Sequence, residues 1–335
     1  VSVNLVITGM GGFIGSHLME HILLNTDWNI VGIDSFRHKG LTDRITDSKH
    51  YWQLKDRVKI ITHDLIAPIS QIMIEDIGPV DYIINMASES HVNRSIDYPV
   101  PFIKNNVDLV LNMLEYARVI KPKVFIQIST DEVYGPMEGS KTHPEWDTIL
   151  PSNPYSASKA AQEAIAISYW RTYSVPVIIT NTMNNYGERQ DPEKYLPKII
   201  RAVLTDQIVT VHGIPTDIGS RFWLHARNHA DALLWLLNIG DPKLFPTYHE
   251  PDRFNIVGDK QINNLEMAQL VAEVLGKPLK FVLEDFHSTR PGHDPHYGLD
   301  GNLLKTSGWE PPIDLESSLE KTICWYQDHP KWLKL

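Results

Sequence analysis

The chain has 335 residues, 42% hydrophobic and 21% charged, with a formal net charge of −10 and a single cysteine. This is a globular composition that excludes disordered and fibrous classes, and its acidic balance excludes nonspecific nucleic-acid binding, which needs a basic surface to displace counterions from phosphates. No apolar run reaches the roughly 18 residues of a membrane span, and a lone Cys324 cannot close an intramolecular disulfide, as expected of a cytoplasmic protein.

Residues 4–8 (NLVIT) form a short apolar run ending in glycines, and residues 13–24 carry apolar side chains at helical spacing, which predicts strand, turn and helix in order. Further apolar runs at 29–33, 58–62, 80–85 and 124–128 end at Asp34, near Asp64, at Met86-Ala87-Ser88 and at Ser129-Thr130, and each reads as a buried parallel strand. Between them, residues 102–118 have helical periodicity. The alternation predicts an α/β fold, a doubly wound parallel sheet of Rossmann type, with ligands gathered at the carboxyl ends of the strands. After a last strand-like run at 175–180 the pattern loosens and Pro and Gly become denser. The expected division is a dinucleotide-binding domain over 1–187, rejoined by 222–257, and a smaller, mainly substrate-binding portion over 188–335. Amphipathic helices at 264–275 and 315–326 read as structural, with Cys324 packed inside the second.

The glycines of TGMGGFIG stand directly between predicted strand and helix. Gly9 permits a tight turn, Gly12 lets backbone approach a pyrophosphate, and Gly15 permits close packing of a helix whose N-terminus favours negative charge. Asp34, about 20 residues on, closes the next strand, where a carboxylate accepts from adenosine ribose hydroxyls and repels a 2′-phosphate, favouring NAD over NADP. Arg37, His38 and Lys39 beside it pull the other way. Phe13, Ile14, Asp64, Leu65 and Ala87, at the ends of the turn and strands, complete the expected cofactor set, with Tyr155 and Lys159.

Tyr155-Ser-Ala-Ser-Lys159 sets a phenol and an ammonium four residues apart, on one face of a helix. The cation is expected to lower the phenol's pKa towards a value useful for abstracting a hydroxyl proton. The segment Ser129-Thr130-Asp131-Glu132-Val133-Tyr134-Gly135 puts two adjacent acids at the edge of the sheet. Dehydration needs a base at one carbon and an acid at its neighbour, whereas simple hydride transfer needs neither.

Together the glycine turn, STDEVYG and YSASK resemble dTDP-glucose 4,6-dehydratase and its relatives in the extended short-chain dehydrogenase/reductase (NAD-dependent epimerase/dehydratase) family, over most of the chain. MASESHVNRSI, NNYGERQDPEKYLP and TRPGHDPHYGLD resemble further segments of that family. The resemblance implies NAD, no metal, a nucleotide-sugar substrate and a homodimer packing helices near 102–118 and 155–173. It implies that Tyr155 deprotonates the sugar 4-hydroxyl while Thr130 hydrogen-bonds that oxygen, that Lys159 supports phenolate and nicotinamide ribose, that Glu132 removes the C5 proton, and that Asp131 protonates the departing 6-hydroxyl. Substrate contacts are implied for Ser90, His91, Asn184, Glu193, Lys194, Arg221, Asn255, Arg290, His293 and Tyr297. Departures stand at Asn181, Asn93, Glu188, Phe222 and His225, where the family usually has arginine, aspartate, proline, aspartate and tyrosine. An NDP-sugar 4-epimerase or UDP-glucuronate decarboxylase would share the turn, Tyr155 and Lys159 without needing Asp131 and Glu132. An inverting dehydratase is expected to offer lysine in place of Glu132. A noncatalytic NAD-binding sensor would not need the intact catalytic set.

Overall fold

The computed structural model describes residues 2–37, 39–285 and 294–335. Strands β1 (Asn4–Thr8), β2 (Asn29–Asp34), β3 (Val58–Thr62), β4 (Tyr82–Asn85), β5 (Val124–Ile128) and β6 (Val177–Thr182) form one parallel sheet with a seventh strand, Asp252–Ile256. From one edge to the other the order is Asp252–Ile256, β6, β5, β4, β1, β2, β3, so the direction of winding reverses between β1 and β4. That reversal opens the crevice where doubly wound sheets bind ligands.

Strand alternation sorts the core onto two faces. Leu5 and Ile7 of β1 point to one side, packing with Leu18 and Ile22 of the helix Phe13–Asn25 and with Leu233 and Leu236 of the helix Ala226–Leu236. Val6 points to the other, with Val110 and Met113 of the helix Pro99–Ile120 and Trp170 of the helix Pro154–Tyr173. β3 departs from the expectation of a buried strand. It is the outermost strand, and its residues are only partly covered or exposed.

A second core gathers Leu196, Ile200, Val211, Met267, Val271 and Ile323. They come from the helices Tyr195–Leu204, Asn264–Val274 and Leu315–Asp328 and the strand Val209–Ile214. Asn263 starts the middle helix with a capping box, its side chain accepting from Glu266 N while Glu266 accepts from Asn263 N. Cys324 lies on the exposed face of the last helix, because Thr322, Ile323 and Tyr326 occupy the buried one. The expectation that it packs inside is therefore corrected. Among the described residues no helix is long and apolar enough to cross a membrane.

The seventh strand ties the later chain to the sheet through charge as well as backbone pairing. Arg253 Nη2 lies 2.9 Å from Glu163 Oε2 of the Pro154–Tyr173 helix, and both side chains are out of water. Breaking a buried pair from one side strands the other charge. Arg253→Met is expected to destabilise the chain by about 3–5 kcal/mol in urea unfolding, with part of the loss recovered in the double variant Arg253→Met, Glu163→Leu. Equal stability of Arg253→Met and the parent would refute this.

Candidate active site

The glycine turn is built for close approach. Gly9 has φ +71°, a conformation that side chains resist, and a Cβ on Gly15 would lie 2.2 Å from the Gly9 carbonyl oxygen. The helix Phe13–Asn25 starts at Gly12 with no side-chain cap, leaving its first N–H groups for an anion. Asp34 is held open-handed at the next strand's end: Oδ2 accepts from Gly11 N at 2.9 Å and Oδ1 from Phe36 N at 2.8 Å. Arg37 pairs with Asp64 at 2.7 Å, and Lys39 with Asp191 at 2.9 Å and Glu193 at 3.1 Å. Both cations thus have carboxylate partners other than Asp34. Leu65 is buried, and Ala87 backs the turn, its Cα 3.0 Å from where a Gly9 Cβ would stand.

The catalytic candidates converge at the carboxyl edge of β5. Asp131 and Glu132 lie on the single turn Asp131–Val133. Thr130 Oγ1 donates to Asp131 Oδ1 at 2.8 Å, while Asp131 Oδ2 is buried with no partner. Burial, and then the charge of Glu132, push Asp131 up to about 7. Burial also pushes Glu132 up, opposed by a hydrogen bond from Asn153 Nδ2 at 3.1 Å and by the charge of Arg221. Asn153 caps the Pro154–Tyr173 helix, so the same residue starts the helix that carries Tyr155 and steadies the acid facing it.

Tyr155 and Lys159 share that helix. Burial and the neighbouring Glu132 raise the phenol, and the Thr130 hydroxyl opposes them. Lys159 Nζ donates to Ile128 O and Gln162 Oε1, and burial lowers it to about 7 against the pull of Glu163. The expectation that Lys159 depresses the phenol is corrected: its described hydrogen bonds run to other partners, and desolvation dominates both groups.

The substrate candidates divide. The charges of Lys194 and Arg221 both act on Glu132, and Tyr297 lies under the Arg221 guanidinium, 4.5 Å from ring centre to Cζ. Arg221 is held by the carbonyls of Ser220, Asp294 and Pro295. Asn184 is half-buried, its Oδ1 out of water without a partner. Ser90 is exposed; His91 caps the short helix Val92–Asp97 and lies 3.7 Å from Glu193, which turns to Lys39. Asn255 is taken up structurally, its Nδ2 donating to the carbonyls of His143 and Asp300, both at 3.0 Å. That accounts for its amide donors without a substrate. Arg290, His293 and His38 lie outside the described residues. Among the described residues no group of three or more His, Cys, Asp or Glu is placed to hold a metal.

Sequence reasoning missed Arg44, which is buried and donates to the carbonyls of Arg189, Gly11 and Lys39, clamping the glycine turn to the loop after Asp34. Nothing in LTDRITD signals it. It missed Asn153 and Gln162 too, although an Asn before Pro-Tyr is a capping signal and a residue three after Lys159 shares its face.

Residues 6–322 match the family described as GDP-mannose 4,6 dehydratase. A dTDP-glucose 4,6-dehydratase of Salmonella typhimurium is 34% identical over 357 residues, covering 99% of this chain and 94% of its own. The crystal structure of dTDP-glucose 4,6-dehydratase from Bacillus anthracis in complex with NAD superposes with a TM-score of 0.85 at 28% identity, covering 99% of each chain. A UDP-glucose 4-epimerase from Thermus thermophilus has a TM-score of 0.84 at 24% identity, covering 97% of this chain and 99% of its own, and shares the fold.

The acid pair makes its own prediction. Carbon-detected NMR of the carboxyl groups is expected to show Asp131 titrating near 7, and Glu132→Gln is expected to lower that midpoint, since removing a like charge favours ionisation. An Asp131 midpoint near 4 in the parent chain, or one indifferent to Glu132→Gln, would overturn this electrostatic account.

Proposed function

Because this chain belongs to the GDP-mannose 4,6 dehydratase family of NAD-dependent epimerases and dehydratases, we propose that it is a nucleoside-diphosphate-glucose 4,6-dehydratase. In this reading it acts on dTDP-glucose or UDP-glucose, retains configuration at C5 and yields the 4-keto-6-deoxy sugar nucleotide. The observation that carries the reading is the adjacent pair of buried Asp131 and half-buried Glu132, both acting on the Tyr155 phenol, with Asp131 poised near neutrality and an unpartnered oxygen on it. A carboxyl that keeps its proton near neutrality beside a second carboxyl is what an acid and a base at neighbouring carbons require.

The glycine turn, the uncapped helix start and Asp34 fit NAD, whose pyrophosphate and ribose need close backbone approach, N–H donors and a carboxylate acceptor. NAD, when bound, supplies the redox chemistry, taking hydride from C4 and returning it to C6. The chain's residues move the protons. Tyr155 takes the 4-hydroxyl proton, with Thr130 beside the same oxygen, while Lys159, one turn along the helix, keeps its third N–H for the nicotinamide ribose. The C4 carbonyl acidifies C5, and Glu132, made more basic by burial, removes that proton. Asp131 gives its proton to the 6-hydroxyl, which leaves as water. Glu132 then returns a proton to C5 from the face it came from, which preserves configuration.

Arg221 and Lys194, both cationic and close enough to act on Glu132, are suited to the diphosphate. Residues 188–335, apart from 222–257, which return to the dinucleotide-binding domain, serve mainly to cover the substrate. The lone cysteine suits a cytoplasmic setting. The exposed Val100, Leu111 and Val119 of the Pro99–Ile120 helix support a homodimer, which sedimentation as a monomer at micromolar concentration would rule out.

Hydrogen that leaves C4 and returns to C6 leaves a trace. A substrate deuterated at C4 is expected to give product with deuterium in the C6 methyl group and solvent hydrogen at C5. An epimerase would return the label to C4. Glu132→Gln is expected to keep NAD binding and lose at least a hundredfold in dehydration. An unlabelled methyl group after turnover would sink the assignment.

A further inference from the structure

We propose that Gln162 is a positioning residue for Lys159, and that a row of buried side chains starting at Thr8 decides which end of its amide the lysine meets. An ammonium has three N–H donors. Lys159 uses two of them on neutral acceptors, Ile128 O at 2.7 Å and Gln162 Oε1 at 2.6 Å, which leaves one for a ligand. Had Gln162 presented its NH₂ instead, donor would face donor.

The orientation follows from the far end of the row. The Thr8 hydroxyl accepts from the backbone N–H groups of Met86 and Ala87, both at 3.1 Å, so its own proton goes to Asn85 Oδ1 at 2.7 Å. Asn85 therefore turns Nδ2 to Gln127 Oε1 at 2.8 Å. Gln127 in turn directs Nε2 to Ile128 O at 3.0 Å and Gln162 Oε1 at 3.3 Å. Gln162 is left to donate Nε2 to Asn106 O, 2.7 Å away, and to show its oxygen to Lys159.

Thr8, Asn85 and Gln127 are register partners across β1, β4 and β5, and every member of the row is buried. A buried polar row that is fully paired has one low-energy direction, because reversing any amide leaves a donor or acceptor unmet. Thr8 also precedes Gly9. The residue at the base of the dinucleotide turn thus helps aim the catalytic lysine at the edge of β5, two strands away.

The groups around Lys159 explain why the partner is an amide. Glu163, on the same helix, is its carboxylate neighbour and is paired with Arg253 from the Asp252–Ile256 strand. Tyr155 stands one turn earlier. What reaches Lys159 or its partner from β5 and from the Pro99–Ile120 helix is neutral: Gln127, the Ile128 carbonyl and the Asn106 carbonyl. A second carboxylate at 162 would fix the ammonium charge and face the Asn106 carbonyl with no donor.

The inference rests on the dehydratase reading only where turnover is measured. Lysine ¹³Cε NMR of the full chain gives a readout free of it. Gln162→Glu is expected to raise the Lys159 titration midpoint by about one pH unit or more, because a nearby anion favours the charged form. Gln162→Leu and Thr8→Val are expected to lower it, and Thr8→Ser to restore the parent value. In the assay, Gln162→Leu is expected to lose about tenfold in kcat with KM for the sugar nucleotide within about twofold, and the alkaline limb of its pH profile should move to lower pH. Melting temperature and circular dichroism identify variants that fold. Folded Gln162→Leu and Thr8→Val chains that titrate like the parent would overturn the proposal, as would a Gln162→Glu midpoint that fails to rise. A parent chain without dehydratase turnover would overturn the function proposed above, and the lysine titration would still decide this one.

Discussion

Desolvation at the carboxyl edge of β5 is the constraint that the rest of this structure answers. Asp131, Lys159, Glu163 and Arg253 are all nearly or wholly out of water, and a charge moved from water into protein costs several kcal/mol unless partners replace its hydration. Where the partner is a charge, as for Glu163 and Arg253, the pair serves as a structural clasp. Where the partner is a neutral dipole, as for Lys159, or a hydroxyl, as for Asp131, the group's proton is left loosely held near neutrality. The same burial therefore produces stability in one place and reactivity a turn away, and the difference lies in the charge of the neighbour.

The clasp also explains how a chain with two cores can hold one active edge. Asn181 of β6 donates one amide hydrogen bond to Thr130 O at 3.0 Å and another to Glu163 Oε1 at 2.8 Å. Tyr134, just past the acid pair, donates to Glu145 O and accepts from Arg253. The turn with Asp131 and Glu132 is thereby fixed from β6, from the Pro154–Tyr173 helix and from the returning Asp252–Ile256 strand. Arg221 and Lys194, which belong to the later part of the chain, bring positive charge to bear on Glu132.

What could be read from the sequence follows the same division. Strands covered on both faces show as continuous apolar runs, so β1, β2, β4 and β5 were legible, and the glycine turn was legible because a Cβ there would collide with backbone. β3 also showed as an apolar run, but an edge position is invisible in a single strand's composition. Short strands such as Asp217–Ile218 and Ser220–Phe222 are too brief for periodicity. The candidate catalytic side chains were legible through spacing. Their supports were not: Gln162, Asn153, Glu163 and Arg253 are polar residues in unremarkable settings, and nothing in a sequence distinguishes a polar side chain that faces solvent from one buried among partners 90 residues away. The expected effect of Lys159 on Tyr155 failed for a related reason, since a spacing of four places two groups on one face but does not say which acceptors each will find.

The departures from the family pattern can be sorted by the same physics. Glu188 stands where the family usually has proline and His225 where it usually has tyrosine, yet the two form one unit. Burial opposes the Glu188 charge, but hydrogen bonds from His17 and His225, both at 3.3 Å, outweigh it and hold the carboxyl well below its usual range, and Arg227 pairs with its other oxygen. A buried carboxylate at 188 without those partners would be a heavy cost, and His225 is one of the three side chains that meet it. His17 lies on the glycine-turn helix, bonded to Phe13 O, which puts this unit behind the dinucleotide turn. Asn181 is likewise consumed by Thr130 and Glu163. Residues whose polar atoms are satisfied inside the protein do not select a sugar or a base. Of the five departures, Asn93 is exposed on the Val92–Asp97 helix, while Phe222 packs with Val133, Tyr134, Met183 and Tyr297, the apolar cluster beneath the acid pair. Phe222 thus puts an apolar ring, packed in that cluster, where the family usually has a carboxylate. The departures are therefore of two physical kinds: the buried polar ones take up partners inside the protein, and Phe222 exchanges a charge for an apolar contact.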